Sequence, residues 1–195
     1  GSFFTVKLFE IFSLLFLPLL APPHGRHLWG GASSYFLHGL KKADRLAVLQ
    51  AAKDANLKVI RIFITSTFAH SHGADCDAIP DLETQPGQWN DKILSQIDDL
   101  MLDAKNYGIK LIIAMHDRYA LTHSQEAYVK KYGIKTYGES NNVNDASAFY
   151  TNKNAQADFD RRLVHILTHK NPHFNYRPWY ELSEVIFSFE AQNEA

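Results

Sequence analysis

Val185-Ile186-Phe187-Ser188-Phe189-Glu190-Ala191-Gln192-Asn193-Glu194-Ala195 is the stretch on which the reading of the whole chain turns. Its first half is β-branched and aromatic, so it reads as a buried strand. Its second half delivers an amide and then a carboxylate at the strand's carboxyl end. In a barrel of parallel strands that end is the working face. A glutamate there, with an asparagine beside it, suits a general acid. Taken alone, the three residues Gln192-Asn193-Glu194 read more simply as a polar turn after a strand. The order of elements upstream separates the two.

Three further runs read as strands. Leu28 to Leu37 (LWGGASSYFL) is entered through Gly30-Gly31, while Lys58 to Ile64 (KVIRIFI) and Lys110 to Met115 (KLIIAM) are continuous apolar runs. Such runs mark strands covered on both faces. Between them apolar residues recur at helical spacing. Leu46, Val48, Leu49, Ala52 and Leu57 follow Asp44, with Asn56 as a stop. Ile93, Ile97, Leu100, Met101 and Ala104 follow a cap at Asn90 or Asp91 and end at Gly108, where a C-cap glycine belongs. Phe159, Leu163, Ile166 and Leu167 follow Asn154 and precede Pro172. Residues 65–88 and 120–151 read as long loops.

The order is β-α-β-α-β-α-β, which predicts an α/β fold. No GxGxxG loop follows the first strand, which counts against an open nucleotide-binding sheet. Long loops on the carboxyl side of the strands favour a (β/α)8 TIM barrel, here a partial barrel of about four β/α units. Arg61 lies inside the second strand, where a charge is costly unless paired. It is expected to face a carboxylate near the barrel axis.

The 195 residues are 46% hydrophobic and 13% aromatic, with a formal net charge of −1. That balance offers no electrostatic ground for a nucleic-acid partner. The single cysteine, Cys76, excludes an internal disulfide framework and a Cys-rich zinc site. Val6 to Leu20 (VKLFEIFSLLFLPLL), with Lys7 ahead and Ala21-Pro22-Pro23 behind, has the plan of a secretory signal. It is too short for a stable membrane span of about 20 residues. Glu10 interrupts it, and Gly1-Ser2 stands where an initiator methionine would, so a buried amphipathic helix is the alternative. The expected division is residues 1–27 as a signal or N-terminal segment and 28–195 as the barrel domain, secreted from the cell.

Four pieces then line up: Gly-Ala-Ser-Ser-Tyr-Phe-Leu on the first strand, Val-Ile-Arg-Ile on the second, Ile-Ile-Ala-Met-His on the third and Phe-Glu-Ala-Gln-Asn-Glu on the fourth. In this order the sequence, from about residue 30 to 195, resembles the clan A glycoside hydrolases, most closely family 5, the cellulase and mannanase family. The resemblance implies a retaining hydrolase of β-1,4-linked glucan or mannan that uses no cofactor and no metal. By the same resemblance Glu194 is the acid/base and Asn193 a sugar-binding amide. Arg61 would orient the nucleophile, and His116 would line a sugar subsite. Ser33-Ser34 departs from the family, many members of which carry an asparagine there. The family's nucleophile is a glutamate on strand seven, to which no residue of this sequence corresponds. The sequence therefore reads as the N-terminal half of such an enzyme, expected to be inactive by itself.

Tyr35, Trp89 and Tyr119, with Trp179, are candidates to stack on sugar rings, and core packing suits each of them equally. Glu181, Glu184 and Glu190 are other carboxylates, none at the expected strand end. His70-x-His72 reads as a solvated loop rather than a metal site. His165, His169 and His173 read as a surface stripe beside a helix C-terminus. A carbohydrate-binding or interaction fragment without catalysis is the rival function, and a barrel enzyme with a metal at His116 is a third. The expected partner is a β-linked polysaccharide or oligosaccharide. Half a barrel is also expected to self-associate, because Val59, Ile60, Ile62, Ile112, Ile113, Val185 and Phe187 would lose cover.

Overall fold

A computed structural model describes residues 30–64, 79–134 and 147–194. The segment 1–27, His70, His72 and Cys76 fall outside the described residues. In chain order the elements are β1 (Gly30–Ser33), α1 (Lys42–Asp54), β2 (Leu57–Phe63), β3 (Glu83–Gln85), β4 (Gln88–Trp89) and α2 (Lys92–Tyr107). Then come β5 (Lys110–Ala114), α3 (Ala127–Tyr132), α4 (Ser147–Thr151), α5 (Lys153–Thr168), β6 (Lys170–Asn171), β7 (Arg177–Pro178) and β8 (Ile186–Glu190). β1, β2, β5 and β8 form one four-stranded sheet in that order, every pairing parallel. Spatial order equal to chain order is how successive units of a β/α barrel are laid down.

Period-two alternation divides the sheet's side chains between two faces. Ile60, Ile62, Ile64, Leu111, Ile113 and Met115 join Leu49 of α1 and Ile93, Ile97, Leu100, Met101 and Ala104 of α2 in one apolar core. The five α2 residues are fully buried, as their spacing predicts. Gly108 closes α2 at φ 71°, its N–H turned back on the carbonyls of Ala104 and Lys105. That left-handed conformation costs glycine no Cβ clash. On the opposite sheet face the register aligns Arg61 with Ile112 and Ser188, and Phe63 with Ala114 and Glu190. This is the sheet face turned away from α1 and α2.

Three expectations need correcting. First, Val59, Ile60, Ile62, Ile113 and Val185 are all buried, while Ile112 is half-buried and Phe187 is 46% exposed. Ile60, Ile62 and Ile113 face the helices, so their cover does not depend on further strands. Second, α5 is capped by Asn152, not Asn154: the Asn152 Oδ1 accepts the N–H groups of Asn154 (2.9 Å) and Ala155 (3.2 Å). Its buried residues include Asp158 and Arg162, whereas Phe159, Leu163 and Leu167 are only partly covered. Third, His165, His169 and His173 each place Nε2 on an aspartate, at 2.7 Å from Asp91, 2.8 Å from Asp98 and 2.8 Å from Asp99. They pair α5 and the turn after it with α2 rather than standing free as a stripe.

The two long loops are also not structureless. The first carries the β3–β4 hairpin, the second α3 and α4. Elements this short are marginal alone and need tertiary partners. Glu83 supplies them: its buried carboxylate accepts from the Tyr128 phenol of α3 at 3.0 Å, Arg162 Nη1 of α5 at 2.9 Å and the Gly87 N–H at 2.8 Å. Arg162 Nε also donates to the Met115 carbonyl at the end of β5 (2.9 Å), so both loops are tied to the rim of the sheet. No helix among the described residues is long and apolar enough to cross a membrane.

Candidate active site

The carboxyl ends of β2, β5 and β8 converge, and pairing continues past the named strands. Met115 N–H donates to the Glu190 carbonyl (2.9 Å), Asn193 N–H to the His116 carbonyl (2.9 Å) and Arg118 N–H to the Asn193 carbonyl (3.2 Å). Asp117 and Asn193 form an isolated parallel bridge. The polar turn after β8 is therefore not loose. It is laid against the residues that follow β5.

Arg61 meets the carboxylate its position demands. Its Nε donates to Glu190 Oε1 (3.1 Å) and Oε2 (2.9 Å), and its Nη2 to Glu190 Oε2 (2.5 Å) and to Asn193 Oδ1 (2.9 Å). Asn193 Nδ2 donates to Asp117 Oδ1 (3.0 Å), which also accepts the Tyr119 N–H (3.1 Å). The Tyr119 phenol donates to Glu194 Oε2 (2.8 Å). A continuous polar path thus runs Glu190–Arg61–Asn193–Asp117–Tyr119–Glu194. Both ends of the Asn193 amide are engaged, which fixes its orientation.

Sequence reasoning does not single out Glu190 or Asp117 as site residues. It places Glu190 away from the expected strand end, yet Glu190 is the last residue of β8. Alternation from Ser188 carries that signal, because both residues share Arg61's face. Asp117 had no signal beyond its place after the third strand.

The His116 side chain is fully buried. The imidazole stacks on Phe149 at 5.8 Å and meets Tyr128 and Phe159 edge-on. Nδ1 lies 2.9 Å from Gln192 Nε2, and Nε2 is 3.6 Å from Glu126 Oε1, beyond good hydrogen-bond reach. Its backbone carbonyl accepts the Asn193 N–H. No group of three or more His, Cys, Asp or Glu able to hold a metal occurs among the described residues.

The aromatic candidates divide. Tyr35 is 45% exposed and packs on Phe63 at 4.6 Å, and that ring in turn carries the Arg61 guanidinium at 4.5 Å. Tyr119 is 43% exposed. Both border the polar path. Trp89 is not brought there: it stacks on His165 of α5 at 4.2 Å and a 6° interplanar angle. Trp179 is buried, its indole N–H on Asp98. Glu194 is exposed, with φ at 51°, a left-handed value uncommon outside glycine. Its hydrogen bond and negative charge raise the Tyr119 phenol above the ordinary tyrosine pKa.

No family model matches the chain. Among curated proteins it is similar to mannan endo-1,4-β-mannosidase 5 of Solanum lycopersicum, 27% identical over 172 residues, 86% of this chain and 38% of that protein. It is also similar to mannan endo-1,4-β-mannosidase 1 of Oryza sativa subsp. japonica, 25% identical over 131 residues, 67% of this chain and 28% of the relative. The chain is a homologue of mannan endo-1,4-β-mannosidases. This mannanase homologue also superposes on solved barrels. The hyperthermostable endo-1,4-β-D-mannanase of Thermotoga petrophila matches with a TM-score of 0.64 at 20% identity, over 86% of this chain and 45% of that one. A family 5 mannosidase of Rhizomucor miehei, solved with mannosyl-fructose, matches at 0.65 and 16% identity, over 85% of this chain and 44% of that one. The mannanase homologue thus spans less than half the length of the relatives it matches.

Proposed function

We propose that the chain is part of a retaining hydrolase of β-1,4-linked mannan, with Glu194 as acid/base. Glu194 would protonate the departing glycosidic oxygen and later take a proton from the water that releases the glycosyl-enzyme. Asn193 would hold a sugar hydroxyl beside it, and Tyr35 would offer a ring face. The observation that carries this reading is the polar path from Glu190 to Glu194, which sets an oriented amide and a carboxylate in consecutive positions where β8 ends. Retention needs a second carboxyl about 5–5.5 Å from the first. By the resemblance no residue of these 195 corresponds to it, and the proposal is that they turn over no mannan by themselves. Secretion is proposed with this function, supported by the signal-like stretch Val6–Leu20.

The rival reading, a glycan-binding fragment without catalysis, draws on the exposed Tyr35 and Tyr119, which need no nucleophile to hold sugar. A chimera completed with the carboxyl-terminal portion of a mannanase relative separates the two. The expected result is mannan hydrolysis that Glu194→Gln lowers by roughly 10²–10⁴, with a smaller loss on substrates bearing good leaving groups. Binding of mannohexaose without turnover favours the rival. Hydrolysis undiminished by the substitution removes Glu194 from the acid role.

A further inference from the structure

We infer that Tyr119 is a positioning residue for Glu194, its phenol fixing one carboxylate oxygen so that the other is presented to the glycosidic oxygen; this rests on the acid/base reading of Glu194. The sequence offers Tyr119 as a ring for sugar stacking or for core packing. Its hydroxyl instead donates to Glu194 Oε2 at 2.8 Å. Glu194 is solvent-exposed in a left-handed turn, where its side chain would otherwise sample many rotamers. Tyr119 is itself seated: its N–H is held by Asp117 Oδ1 at 3.1 Å, and the same oxygen accepts Asn193 Nδ2 at 3.0 Å. One aspartate therefore sets the height of both the Asn193 amide and the phenol that reaches Glu194. Two routes, the Asp117–Asn193 bridge along the backbone and the Tyr119 phenol through space, converge on consecutive residues. A ring placed only for stacking would have no need of the second route. The phenol's raised pKa agrees with this geometry, its first cause being the hydrogen bond to Glu194 and its second that carboxylate's charge.

The test begins on the 195-residue chain carrying tyrosine labelled with 13C at Cζ. Tyr119→Phe identifies the Tyr119 resonance by its loss. The wild-type resonance is expected to titrate above the ordinary value of 10.0. Glu194→Gln is expected to bring the phenol titration down toward the ordinary value. Asp117→Ala, which leaves the Glu194 side chain intact, is expected to lower it in the same direction by unseating Tyr119. A Tyr119 resonance indifferent to Glu194→Gln, or one that titrates at the ordinary value in the wild type, overturns the inference. In the completed chimera Tyr119→Phe should lower kcat by roughly tenfold or more, the scale of one charge-assisted hydrogen bond, with KM nearly unchanged. A raised KM at constant kcat returns Tyr119 to the role of a stacking platform and also overturns it. Because the spectroscopic coupling is read without substrate, a chimera that fails to hydrolyse mannan while the coupling persists counts against the glycosidase reading, not against the tie.

Discussion

Arg61 and Glu190, 129 residues apart, close on each other across β5 through two guanidinium nitrogens, at 2.9 Å and 2.5 Å from the same carboxylate oxygen. The pair joins the second and fourth strands of the sheet and, through Nη2, holds the Asn193 side-chain Oδ1 as well. A planar fork with several fixed donors can do this, and a lysine's single ammonium cannot. Arg61→Ala would leave a half-covered carboxylate and an amide short of a donor, costing on the order of 1–3 kcal/mol, with Arg61→Lys between that variant and the wild type. Urea unfolding checks the order. An alanine variant as stable as the parent would mean the fork orients the site without holding the sheet.

The Arg162–Glu83 pair is the sharper stability case, because both side chains are fully buried, 2.9 Å apart. Arg162→Met strands a buried carboxylate and is expected to cost about 3–5 kcal/mol. Adding Glu83→Gln should recover part of that loss by removing the stranded charge. A double-mutant cycle measures the coupling, and a value near zero would show that the β3–β4 hairpin is anchored by something else.

His38 sets a pH dependence. Burial, then the nearby Arg45 charge, lowers its pKa from 6.5 to about 3, and neither ring nitrogen has a partner among the hydrogen bonds. The unfolded chain therefore binds a proton below pH 6.5 that the folded chain refuses. Stability is fully present above that value and is lost as pH falls from 6.5 toward 3, at about 1.4 kcal/mol per unit. Between pH 7 and pH 5 the wild type should lose about 2 kcal/mol more than His38→Phe does. Equal losses would show that His38 takes up its proton over the same pH range in the folded and unfolded chains.

Self-association is expected from the sheet's margin rather than from its core. Among the described residues β1 and β8 are the edge strands, and β8 carries the exposed Phe187. An apolar edge is a template for pairing with another copy. Light scattering should show a mass that rises with concentration, and Phe187→Lys should suppress the rise. A monomer at all concentrations would show that the edge is already blunted.

The sequence by itself determined the alternating α/β order, the four parallel strands and the α2 stripe, because continuous β-branched runs and 3.6-residue periodicity are local signals. It also determined that Arg61 needs a carboxylate, since a charge in an apolar strand must be answered. Which carboxylate answers was decided only by the register of β2, β5 and β8, which puts Glu190 within reach. Tertiary packing also turned His116 into a boxed aromatic neighbour, because Phe149 and Phe159 arrive from α4 and α5, distant in sequence. It likewise made a hairpin and two short helices out of apparent loops, and carried Trp89 away from the site onto His165. These outcomes rest on contacts between segments tens of residues apart. Spacing along one strand or helix reports which face a side chain takes, but not what another segment will bring to that face.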